Sequence, residues 1–345
     1  MCIYDFSYFI IEVMYDEDNL TMAGSGANGT AYFIKDSPWV LKRMNRGKSS
    51  SIPNEVVICE CIQRFQSDGK LNSVLKVVSA TKEELMFERI YPLHPRKAGE
   101  FSVSFWLQSL ISVCAAMFEL HSFGIYHCDL KPNNIGVRCD FTTTPIDFGN
   151  SQILFEGDAF LHTIPAVSYC VPWALLDVRR KRVRLNRFQF AQIDMFSLFV
   201  TFAELLRVST IGDDPCPAII PLEKTKRITH DSTENEVLEL TRDWESRVQQ
   251  FVKWCDDESK DLEFLQMKNA LKILKKLATF VQLKDDDAVS LIVSDISKCL
   301  KFNFVVPSLR ERTVLQNYFG YHYSSIVEEI KRSEKKRERE EEVNE

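Results

Sequence analysis

Tyr126-His127-Cys128-Asp129-Leu130-Lys131-Pro132-Asn133-Asn134, followed thirteen positions later by Asp147 in Ile146-Asp147-Phe148-Gly149, is the stretch on which the reading of this chain turns. It sits in a loop-rich centre between two strongly apolar helical patterns. Ser102–Leu120 is too apolar to lie on a surface and reads as a buried helix. Ile193–Leu206 reads the same way, with Asp194 in its first turn, where the helix dipole favours an acid. Helical periodicity continues over Val237–Cys255 and Glu263–Phe280 and returns at Tyr321–Ile330.

Ahead of the centre the pattern is short and strand-like. Thr30–Ile34 and Trp39–Met44 flank the turn signal Asp36-Ser37-Pro38. Ile52–Phe65 has helical spacing, with Val56, Cys59, Ile62 and Phe65 apolar. Ser73–Val78 and Glu84–Phe87 are two further strands, and Tyr91–Pro95 is a Pro-punctuated connector. A β-rich front and an α-rich back predict an α+β protein of two lobes. The expected divisions are an N-terminal extension over 1–18, a small lobe over 19–90, a large lobe over 91–330 and a charged tail over 331–345. The tail mixes both signs and reads as a solvated helix end or a disordered segment.

Two features of the front carry chemistry. Gly24-Ser25-Gly26-Ala27-Asn28-Gly29 is a G-x-G-x-x-G run that by itself could be any tight turn. It lies between two strands, not between a strand and a helix, which disfavours a dinucleotide fold. A glycine-rich hairpin lets backbone N–H groups approach phosphate oxygens closely. Thirteen positions after Gly29, Lys42 sits on an apolar strand. An unpaired buried ammonium is costly, so Lys42 needs either solvent at a sheet edge or a negative partner, a phosphate or Glu55.

Taken together these residues resemble the eukaryotic protein kinase superfamily. His127, Asp129, Lys131 and Asn134 match its catalytic loop H-R-D-x-K-x-x-N with one change, and Asp147-Phe148-Gly149 matches its metal-binding triplet. Lys42 falls at the strand lysine, Glu55 at the glutamate of the N-lobe helix, and Asp194 in the large central helix. The matches run in the family's order from Gly24 to about Thr313. The resemblance implies a bilobal fold and transfer of the ATP γ-phosphoryl group to a protein hydroxyl, with ATP and Mg²⁺ as cofactors. It implies Asp129 as the base and Asn134 and Asp147 as Mg²⁺ ligands. Lys42 would sit on the α/β-phosphates, oriented by Glu55, and Lys131 on the γ-phosphate. Lysine at 131 resembles the serine/threonine kinases. Gly24–Gly29 would cover the phosphates. Ala31 and Val40 would cap the adenine, Phe87 would close the back of its pocket, and Glu88–Ile90 would offer backbone groups.

Four positions depart from the pattern. Cys128 replaces the arginine that pairs a phosphorylated activation loop, which implies constitutive activity or control by a partner. Trp173 stands where a glutamate is usual, leaving Arg310 to face solvent, stack on Trp173 or pair with Asp177. Ala166 stands at the position of a substrate-loop threonine, which leaves Ser168 or Thr163 to supply the hydroxyl. Gly136 takes the place of the large apolar residue under the adenine, which predicts lost packing of about 1 kcal/mol. Residues 207–302 match no family pattern closely.

Composition sets outer bounds. The 345 residues carry 43 Lys+Arg against 49 Asp+Glu, a net charge of −6. That argues against a surface given over to nucleic acid, and the apolar fraction argues against disorder. Six of the basic residues lie between Arg179 and Arg187 with no acid among them. They read as a solvated loop, as a docking site for an acidic or phosphorylated protein substrate, or as a nuclear-localisation or nucleic-acid patch. Ten cysteines without a C-x-x-C pair read as buried apolar residues in a reducing compartment, cytoplasm or nucleus. No secretory leader and no membrane span is expected. Two other functions remain compatible with the motifs. One is a pseudokinase acting as a binding scaffold, opposed by the presence of Lys42, Asp129, Asn134 and Asp147. The other is a small-molecule phosphotransferase of the aminoglycoside or choline kinase type, which Ile146-Asp147-Phe148-Gly149-Asn150 partly resembles, opposed by Lys131, the tight glycine loop and the Pro172 segment.

Overall fold

The computed structural model describes residues 17–26, 28–45, 53–93, 100–154, 156–160, 169, 184–209, 216–219, 232–261 and 265–280. The 1–16 extension, Ala27, Thr163, Ala166, Ser168, Trp173, Asp177, the basic residues 179–183, Arg310, the 321–330 helix and the 331–345 tail lie outside these residues.

The front half is a five-stranded antiparallel sheet in the order β1-β2-β3-β5-β4. Its strands are β1 (Leu20–Ser25), β2 (Gly29–Ile34), β3 (Trp39–Met44), β4 (Val77–Ala80) and β5 (Glu84–Glu88). One helix, α1 (Asn54–Ser67), lies against it. Val56, Ile58, Cys59 and Ile62 are fully buried on one face of α1. The helix stops in a Schellman motif: Gly69, at φ +69°, donates to the Gln66 carbonyl and Lys70 to that of Phe65. The strand expected over Ser73–Val78 is β4 at Val77–Ala80. Residues 73–76 form a loop instead, because the N–H groups of Asn72 and Ser73 donate to Glu119 of the second half.

The second half is helical. Helix α2 (Val103–Ser122) begins at Ser102, whose hydroxyl accepts the Phe105 N–H. It is long and apolar enough to cross a membrane by length and composition, against the expectation that no segment would be. Its apolar face is consumed inside the fold: Trp106, Leu110, Val113, Cys114 and Met117 are fully buried. Helix α3 (Arg187–Ser209) is buried almost all round. Trp106 Nε1 donates to Ser209 Oγ at 2.6 Å and pins the two helices together. Helices α4 (Glu234–Asp261) and α5 (Leu265–Phe280) pack outside them and fill part of the 207–302 region.

Between the halves run short strands: β6 (Tyr91–Pro92), β7 (Ile125–Tyr126), β8 (Ile135–Val137), β9 (Thr143–Pro145) and β10 (Gln152–Ile153). They pair as β6-β8-β9 and β7-β10 and set the spacing of the loops that carry the polar motifs. Two more strands, β11 (Asp158–Phe160) and β12 (Arg184–Asn186), pair antiparallel.

The expected position of Asp194 is corrected here. Helix α3 starts at Arg187, so Asp194 lies two turns inside it and does not meet the dipole of its first turn. The early start comes from a capping box: Asn186 Oδ1 accepts the Gln189 N–H at 2.9 Å and Gln189 Oε1 accepts the Asn186 N–H at 3.0 Å.

Candidate functional site

Lys42 is placed by the sheet. It lies on the central strand β3, opposite Ala31 of β2 and Leu85 of β5, with little of its side chain exposed. Its ammonium donates to both oxygens of Glu55, at 2.6 and 2.7 Å, and lies 3.6 Å from Asp147 Oδ1. Burial opposes its charge most strongly; the Glu55 and Asp147 charges and the Glu55 bonds outweigh it and leave the Lys42 pKa raised. Glu55 is pushed up by the same burial, with Lys42 opposing. The negative partner that the sequence demands of Lys42 is therefore Glu55, and the sheet-edge reading falls because β3 is internal.

The Tyr126–Asn134 segment leaves β7 and is folded over a buried frame. His127 is fully buried, with Nε2 3.0 Å from the Ile146 carbonyl and Nδ1 accepting the Asp129 N–H at 3.3 Å. These bonds make Nε2 the protonated nitrogen. The carboxylate of Asp194 accepts the N–H groups of His127 and Cys128 and lies 2.8 Å from His121 Nε2.

On this frame Asp129 Oδ2 takes three donors. Lys131 Nζ is at 2.7 Å, Asn134 Nδ2 at 3.2 Å and Asn150 Nδ2 at 3.1 Å. Asn134 Nδ2 also donates to the Asp129 carbonyl at 2.8 Å, which leaves Oδ1 as the side-chain atom that could hold a metal. Asp147 stands at φ +65° with its carboxyl nearly half exposed, while Phe148 behind it is buried against His127. A carboxylate and an amide oxygen are hard donors that suit Mg²⁺, which takes its remaining ligands from substrate phosphates and water. Among the described residues no cluster of three His, Cys, Asp or Glu forms a closed metal cage.

The glycine run is the β1–β2 turn. Gly26 N–H donates to the Gly29 carbonyl at 2.9 Å. A side chain on Gly29 would meet the Arg43 carbonyl, whereas Gly24 and Gly26 face open space. Ser25 bonds Thr30 across the hairpin. Asn28 reaches down to Gly149: a Cβ placed there would lie 2.0 Å from Asn28 Nδ2. The hairpin thus closes over the Asp147 turn.

Val40 and Phe87 are paired neighbours on β3 and β5, next to the Ala31–Lys42 pair. In the connector, the Glu88 N–H donates to Lys76 O and the Arg89 N–H to Pro38 O. The Glu88 side chain accepts from Arg138 at 2.9 Å and ties the two halves together. Gly136 does not leave the expected gap. A Cβ there would lie 1.9 Å from Ile90 Cγ2, so the Ile90 side chain already occupies that space.

Three contributors escaped the sequence reading. Asn150 carries no signal beyond adjacency to the Asp147 triplet. Asn54, at the start of α1, donates to the Ser151 carbonyl at 2.6 Å and the Gly149 carbonyl at 3.3 Å. The β11–β12 pairing ties the described end of the basic segment, where Arg184 and Arg187 are exposed, to Asp158–Phe160.

The Protein kinase domain family model matches residues 22–273. A PAS domain-containing serine/threonine-protein kinase of Mus musculus is 35% identical over 146 residues, 39% of this chain and 10% of that protein. Stress-activated protein kinase jnk-1 of Caenorhabditis elegans is 35% identical over 209 residues, 55% of this chain and 42% of that protein. The MAPK/MAK/MRK overlapping kinase of Homo sapiens is 23% identical over 191 residues, 55% of this chain and 39% of that protein. The matches thus span less than half the length of each of these relatives.

Proposed function

The chain belongs to the protein kinase domain family, and from that premise we propose that it is a serine/threonine protein kinase. It transfers the γ-phosphoryl group of ATP to a hydroxyl of a protein substrate. The observation that carries this reading is the convergence of Lys131, Asn134 and Asn150 on one oxygen of Asp129, in a structure that also pairs Lys42 with Glu55 beside Asp147. The serine/threonine assignment draws on Lys131 and on the Mus musculus relative, which is named a serine/threonine-protein kinase.

The substrate hydroxyl oxygen forms a bond to the γ-phosphorus, and the bond from that phosphorus to the β,γ-bridging oxygen breaks. ADP leaves with the electron pair, and Asp129 accepts the hydroxyl proton. Lys42 holds the α/β-phosphates, and Lys131 lies beside the γ-phosphate, where charge moves. Asn134 and Asp147 would hold Mg²⁺, which neutralises phosphate charge when bound. Gly24 and Gly26, open on their outer face, give the phosphates a cover without side chains. A protein substrate of acidic character would dock on the Arg179–Arg187 stretch, in a cytoplasmic or nuclear setting.

The test is transfer from labelled Mg-ATP to a panel of acidic, basic and Pro-directed peptides, with Asp129→Asn and Lys42→Met as controls. Transfer to serine or threonine, lost in both controls, is the expected result. Nucleotide binding without any transfer would make the chain a scaffold. Transfer only to small alcohols would make it a small-molecule kinase.

A further inference from the structure

We propose that Asn150 is a positioning residue for Asp129, and that it makes the setting of the base conditional on the position of the Asp147-Phe148-Gly149 turn. The inference rests on Asp129 being the base. Of the three side-chain donors on Asp129 Oδ2, Lys131 and Asn134 belong to the same loop as Asp129 and move with it. Asn150 comes from the far side, as the residue directly after the metal-binding triplet. With all three in place the carboxylate cannot turn about its Cβ–Cγ bond without breaking a hydrogen bond to a charged acceptor.

The Asn150 side chain is held from its own side as well. It closes the short 3-10 turn Phe148–Asn150, whose first residue is buried against His127. Asn54 of α1 donates to the carbonyls on both sides of Asn150, those of Gly149 and Ser151. The amide therefore points at Asp129 only when the turn is packed inward and α1 is docked. Any movement that takes Asp147 out of the cleft takes Asn150 with it, and Asp129 loses one of its donors at the same moment. Asp147 and Asp129 are thus set together, through the Asn150 amide.

Two variants separate this from a shape role. Asn150→Ala removes the donor. Asn150→Asp keeps the shape but sets an acceptor against an acceptor. Both should lower kcat, Ala on the order of tenfold and Asp by more, with KM for ATP within about twofold of the unaltered chain. A second readout needs no turnover: in the ¹⁵N-labelled full chain, the Asn150 side-chain amide signal, identified by its loss in Asn150→Asp, should move when Asp129 is changed to Asn. An amide signal indifferent to Asp129→Asn, or an unchanged kcat in Asn150→Ala, overturns the proposal. A chain that phosphorylates nothing overturns the kinase reading instead, while the amide signal still decides the Asn150–Asp129 contact.

Discussion

Asp194 holds Cys128 in a left-handed conformation from beneath: its Oδ1 accepts the Cys128 N–H at 2.7 Å, where the residue stands at φ +60°. The other oxygen accepts the His127 N–H at 2.8 Å and lies 2.8 Å from His121 Nε2. A non-glycine residue at positive φ costs on the order of 1–2 kcal/mol, which this carboxylate offsets. Asp194→Ala should therefore destabilise the fold by about 3 kcal/mol or more, because two buried N–H groups lose their acceptor. Asp194→Asn keeps one acceptor and should lose less. Urea unfolding of the two variants measures the difference, and equal losses would refute a role for both oxygens.

Cys128 itself should be chemically silent. Burial, followed by the Asp194 and Asp129 charges, pushes its thiol well above the ordinary value. The thiolate is the reactive form, and the side chain is fully buried. A thiol reagent at pH 8 should leave Cys128 unmodified in the folded chain and label it on unfolding, as peptide mapping would show. Labelling of the folded chain would mean that the loop opens.

The Lys42–Glu55 pair gives a prediction with a sign. Lys42, raised above its usual 10.5, keeps its charge from neutral pH upward. Its contribution is fully present below that usual value and is lost only as pH passes the raised one. In Lys42→Met, burial still raises Glu55 above 4.5, now without a counter-charge. The folded variant then binds the Glu55 proton more tightly than the unfolded chain does. Its stability falls as pH rises from about 4.5 through the raised value. The deficit against the unaltered chain should be small at pH 5 and about 3–5 kcal/mol at pH 8. Thermal unfolding at the two pH values checks this; a deficit independent of pH would show that Glu55 does not titrate in the variant.

The difference between what was readable and what was not follows from how each residue signals. Lys42 and Glu55 are charged residues within apolar patterns, and each demands a partner, so each points to the other. Asp129, Asn134 and Asp147 are readable because one short loop carries the first two and the β8–β9 hairpin delivers the third thirteen positions on. The start of α3 reads about two turns too late from the sequence, because the apolar run at Ile193 is louder than the Asn186–Gln189 box that starts the helix. Asn150 and Asn54 look like ordinary turn and helix-start residues. Their partners are chosen by tertiary packing, which leaves no local periodicity.

Asn54 should matter for activity more than for stability. Its amide bonds to the carbonyls of Ser151 and Gly149 dock α1 on the turn that follows Asp147. Asn54→Ala removes about 1 kcal/mol of net hydrogen bonding, yet it frees the helix that carries Glu55. Phosphotransfer several-fold below that of the unaltered chain, with the melting temperature within a few degrees, is expected. A proportionate loss of both would reduce Asn54 to a structural contact.

Gly136 is explained by Ile90. The missing side chain under the adenine site predicted lost packing, but the space is filled from the connector: a Cβ on Gly136 would stand 1.9 Å from Ile90 Cγ2 and 3.4 Å from Ile146 Cγ2. Two residues distant in sequence have in effect exchanged bulk, and a local pattern reading sees only the half that is missing. Gly136→Ala should be overpacked and cost about 1–3 kcal/mol. Ile90→Ala should open a cavity and cost about 2 kcal/mol. Their combination should cost about 1 kcal/mol or more less than the two single losses together, because each change relieves the other. The same variants order nucleotide affinity. Ile90→Ala should weaken binding of a fluorescent ATP analogue, and Gly136→Val in the Ile90→Ala background should recover part of it. Strict additivity in stability would show that the two side chains do not share one space.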